Sequence, residues 1–132
     1  MKSAFAALIA VVSFSALSAA AQEQGLSTAP GGVLRALDKV SGETADIELA
    51  AGENTLYGRL RIVMRECRYP ADDPSSNAYA FVQAGEDDED EPQFSGWMIA
   101  SAPALNALDN PRYDVWVLRC IVNTSSEETS DG

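Results

Sequence analysis

Between Arg59 and Arg68, apolar and charged side chains alternate almost one for one. Leu60, Ile62 and Met64 share one phase and Arg59, Arg61 and Arg65 the other, the period-two signature of a strand with one face buried and one wet. Cys67 breaks the pattern, because it shares a phase with the arginines. One extra residue near Arg65–Glu66, a β-bulge, would return the cysteine to the inside. A strand of this kind needs a second layer over its apolar face, so the rest of the chain has to supply one.

The flanking sequence offers more strands. Val33–Leu37, Ala45–Leu49, Ala78–Ala84, Phe94–Ala100 and Arg112–Val122 are rich in β-formers, and turn residues such as Ser41-Gly42 and Ala51-Gly52-Glu53-Asn54 separate them. In the last strand the expected inner set is Trp116, Leu118, Cys120 and Val122. Pro103–Leu108 follows a Ser-Ala-Pro start and suits one or two helical turns, stopped at Asn110-Pro111. The expected fold is mainly β: a small antiparallel β-sandwich or barrel of about seven short strands, with one short helix and one disulfide.

The chain ends frame this unit. Lys2, the apolar run Ala4–Leu17 and Ala19-Ala20-Ala21 have the layout of a secretory signal peptide over 1–21, cleaved after Ala21. Residues 22–31 read as a flexible linker, 32–122 as a single β domain and 123–132 as a disordered acidic tail. Export places the domain in the periplasm, an oxidising compartment, where Cys67 and Cys120 are expected to pair. Closing a loop of about 54 residues would contribute about 4 kcal/mol in the chain-entropy picture. The bond would join the long strand to the last one, either across the core or between neighbours.

Charge removes several functions. Nine basic residues stand against twenty acidic ones, a formal net charge of −11. Such a surface repels phosphate backbones and anionic lipid heads, which argues against nucleic acid and against peripheral membrane binding. There is no histidine, so imidazole-based triads and the commonest metal ligand are absent. The run Glu86-Asp87-Asp88-Glu89-Asp90-Glu91 lacks the alternating spacing and glycine of a calcium loop and reads as a solvated hairpin. No cofactor is expected, and no catalytic or metal-binding residue is assigned.

The remaining candidates are for docking. Alternation cannot bury both phases of Phe94–Ala100, so either Trp97 or Met98 faces away from the core. With Tyr113 and Trp116 they form an aromatic-rich segment that could hold a partner. Arg59, Arg61 and Arg65 gather positive charge on one strand face, either for an acidic partner or for cross-strand pairing with Asp46 and Glu48.

Three segments carry a family likeness: VLRALDKVSGETADIEL, YGRLRIVMRECRYP and FSGWMIASAPALNALDNPRYDVWVLRC. Together they resemble the bacterial family known as domain of unknown function 2155, from about Gly32 to Cys120. The resemblance implies a small exported protein with cysteines matching Cys67 and Cys120, and no established activity. Family members often carry a histidine before the signature proline. Asn110 stands there in this chain, against any role that needs an imidazole. The family's gene neighbourhoods, with an accessory subunit of the respiratory NADH–quinone oxidoreductase, further imply a partner in a membrane complex. The reading taken forward is a periplasmic non-catalytic binding or accessory protein that docks on a protein complex of the envelope. The alternatives are an envelope-polymer hydrolase using Asp109 or Asp114 and a passive structural or inhibitor-like domain.

Overall fold

The computed structural model describes residues 25–123. The signal peptide, its cleavage after Ala21 and nearly all of the expected acidic tail lie outside those residues. Eight strands form: β1 (Leu26–Ala29), β2 (Gly31–Asp38), β3 (Thr44–Ala50), β4 (Asn54–Tyr57), β5 (Leu60–Pro70), β6 (Tyr79–Glu86), β7 (Phe94–Ile99) and β8 (Tyr113–Cys120). All pairings are antiparallel. β5, β6 and β7 run side by side, with β1 and β4 end to end along the other edge of β5, and β3-β2-β8 make a second sheet.

The inner faces of the two sheets share one core. Leu60, Ile62, Met64, Ala80, Val82 and Met98 from the larger sheet meet Leu34, Ala36, Leu49, Val115 and Val117 from the smaller. The alternation that defines β5 in sequence is thus an inside–outside alternation in space. Its bulge falls where the parity break puts it: Met64 faces Val82 and Glu66 faces Phe81, leaving Arg65 as the extra residue. Cys67 is thereby turned inward and is fully buried.

A second bulge does the same for the partner cysteine. Leu34 faces Val117 and Val33 faces Arg119, so Leu118 is the extra residue in β8. Tyr113, Val115 and Val117 point inward before the bulge and Cys120 after it. The expected inner set therefore needs correction: Trp116 and Leu118 are half-buried on the outer side. The disulfide Cys67–Cys120 spans the core between the sheets, with a Cα–Cα distance of 5.7 Å. Gly32 passes so close that a Cβ there would lie 2.9 Å from the Cys67 sulfur.

Other expectations also change. The linker over 22–31 gives way to strand from Leu26, because β1 pairs with Cys67–Pro70 of β5. β4 was not foreseen, and its four residues gain their order from pairing with Leu60–Val63. Pro103–Leu108 makes turns and no helix. A six-residue segment has little helical stability of its own. The segment is instead tied down by the Asn106 side chain, which donates to the Trp97 carbonyl at 2.8 Å, and by Leu108, which enters the core.

Candidate docking surface

The outer face of the larger sheet carries a close aromatic group. β6 and β7 set Phe81 directly opposite Trp97, and their rings meet edge to face at 5.4 Å between centroids. Arg68 lies over the Trp97 ring, 5.5 Å from its centroid, and is steered there by an ion pair with Glu66. Such edge-to-face and cation–π contacts fix side-chain geometry and contribute about 1 kcal/mol each. Tyr79 and Ile99 form the next cross-strand pair on the same face. Leu26 and Leu56, opposite Pro70 and Arg61 on the far edge of the sheet, are each 47% exposed.

The candidates taken from sequence separate. Trp97 is on this face, half-buried, while Met98 is in the core at 2% exposure. Tyr113 is also in the core at 2%, where its hydroxyl accepts a hydrogen bond from the Arg59 N–H at 3.1 Å. Neither Met98 nor Tyr113 offers a docking surface. Trp116 lies opposite Arg35 on the outer face of the other sheet. The aromatic segment therefore does not form one patch. Phe81 and Arg68, which do stand beside Trp97, were missed by the sequence reading. The only signal for Arg68 was the bulge, which places it one residue outside Cys67.

The arginines do not meet the acids expected of them. Arg61 binds Asp87 at 2.7 Å. Arg59, in the turn before β5, reaches Glu86 and Asp88 at 3.7 Å. Arg65 donates to the Gln83 side chain at 2.8 Å. Asp46 pairs instead with Arg35 at 2.7 Å. The acidic hairpin is thus clasped at its start by the arginines of the neighbouring strand. Among the described residues, no three acidic or sulfur side chains are grouped to hold a metal ion.

Asn110 anchors the same end of the molecule. It is 1% exposed. Its side-chain oxygen accepts from the N–H groups of Arg112 and Tyr113 at 2.8 and 2.9 Å. Its amide nitrogen donates to Gln93 and Glu86 at 2.9 and 3.2 Å, and its carbonyl accepts from Lys39 at 2.8 Å. Nearby, Arg112 binds Asp38 at 3.0 Å, and this hydrogen bond holds the Asp38 carboxyl below the usual range. Arg35 does the same for Asp46. Asp114 accepts from the Val115 N–H at 2.9 Å, and Asp109 is exposed. Asp109 thus lies on the exposed loop before β8, and Asp114 on the half-buried outer side of β8.

Comparison with known proteins gives a family and no activity. An uncharacterised protein of Rickettsia prowazekii (strain Madrid E) is 27% identical over 92 residues, which cover 67% of this chain and 59% of the relative. The match thus spans less than two thirds of that relative's length. No solved structure matches. The profile of an uncharacterised protein family conserved in bacteria, domain of unknown function 2155, matches residues 32–120, from the start of β2 to the second cysteine. The chain belongs to the family of domain of unknown function 2155.

Proposed function

We propose that the chain is an exported, non-catalytic docking domain of the periplasm, holding a protein partner of the cell envelope on the outer face of its larger sheet. The observation that carries this reading is the Arg68–Trp97–Phe81 stack. It lies outside the core, its contacts fix its shape, and Tyr79 and Ile99 stand beside it on the same face. Aromatic and arginine side chains held in this way are the commonest anchors of protein interfaces. The interior disulfide supports an oxidising compartment. The family resemblance supports a membrane complex of the respiratory kind as the partner. The two sheets, closed over one core and stapled between layers, are read as a sandwich.

Site-specific photocrosslinking in cells tests the proposal. A photoreactive phenylalanine at Ile99 or Phe81 should yield a defined adduct with one envelope protein, and the same group at Val40 should not. Absence of any adduct from the Trp97 face, in chains shown to be periplasmic and oxidised, would overturn it.

A further inference from the structure

The strands of this fold do not leave their edges equally open. On β7 the Trp97 carbonyl accepts from Asn106 at 2.8 Å and the Ile99 carbonyl from the Ala102 N–H at 3.1 Å. On β8 the Tyr113 and Val115 N–H groups donate to the side chains of Asn110 and Asp114, both at 2.9 Å. β1 and β4 are four residues each. β3 is different. The bonds from Asp38 N–H to the Glu43 carbonyl and from Ala51 N–H to the Pro30 carbonyl set the phase of its ladder with β2. In that phase Ala45, Ile47 and Leu49 bond to β2, while the N–H and C=O groups of Thr44, Asp46 and Glu48 point away from the sheet. Among the described residues, no hydrogen bond reaches those outward groups.

Charge selects what can pair there. Asp46 and Glu48 stand on the outer face of the sheet, two residues apart. A second copy of β3 laid antiparallel would set acid against acid, which cross-strand pairing penalises. A strand with lysine or arginine at alternate positions would set base against acid, and the strongly acidic chain would attract it from solution. We propose that the free edge of β3, from Thr44 to Glu48, accepts an extended basic segment of a partner protein by strand addition. Backbone bonds would hold the segment, and Glu48 would choose it, since the Asp46 carboxylate is already held by Arg35. This site is on the smaller sheet and does not depend on the Trp97 face.

The test uses the disulfide-bonded chain and two synthetic eight-residue peptides, one alternating lysine with valine and one alternating glutamate with valine. Amide exchange is followed by NMR. The lysine peptide should slow exchange at Thr44, Asp46 and Glu48 by about tenfold or more, and the glutamate peptide should not. Glu48→Lys should reverse that preference. Glu48→Pro removes an outward N–H without touching the ladder to β2 and should abolish protection. If the proline variant does not fold, the charge reversal carries the test. No protection at millimolar peptide, equal protection by both peptides, or self-association through β3 would each overturn the proposal.

Discussion

Asn110 shows how much one buried side chain can organise. With both amide groups bonded inside the protein, it joins the start of β8 to the acidic hairpin. Asn110→Ala would leave the N–H groups of Arg112 and Tyr113 without their acceptor and should cost about 3 kcal/mol, measured by urea unfolding. Gly32 is constrained by the nearness of the Cys67 sulfur and the Met64 methyl. Gly32→Ala should cost about 1–3 kcal/mol through forced displacement of the core. The two depressed carboxylates give a pH effect of definite sign. Hydrogen bonds from Arg112 and Arg35 lower the folded values of Asp38 and Asp46. Their contribution is present above the unfolded value near ~4 and is lost as pH falls through the lower folded values. The double variant Arg35→Met, Arg112→Met should therefore lose less stability than the parent when melting temperatures are compared between about pH 5 and pH 2.

At the scale of elements, the bulges decide which way each cysteine faces. Deleting Arg65, the extra residue, would remove the bulge and restore strict alternation in β5 with Cys67 still on the inner face, in step with Met64. Alkylation and mass measurement should then still find the Cys67–Cys120 bond. β5 was legible because its charged and apolar residues separate cleanly by phase, so the bulge stood out as a parity error. β8 was not, because Val115, Trp116, Val117 and Leu118 are apolar on both phases. Parity counted back from Cys120 therefore picked the wrong face from Leu118 onward. β1 and β4 escaped notice because short polar strands owe their order to pairing, which local sequence does not record. The docking candidates suffered the same limit. Sequence required one of Trp97 and Met98 to face out, but which one followed from the core. Phe81 and Arg68 became their neighbours only through sheet register.

The whole molecule holds its two layers together at one covalent point. Replacing both Cys67 and Cys120 with serine should lower stability by about 4 kcal/mol in denaturant unfolding, a large share of the roughly 5–15 kcal/mol available to a domain. Because each sulfur faces inward only when its own strand carries its bulge, the bond can close only once β5 and β8 are both aligned correctly with their neighbours. Oxidation then acts as a check on assembly. A chain whose strands have slipped by one position presents its sulfurs to opposite sides and stays unlinked.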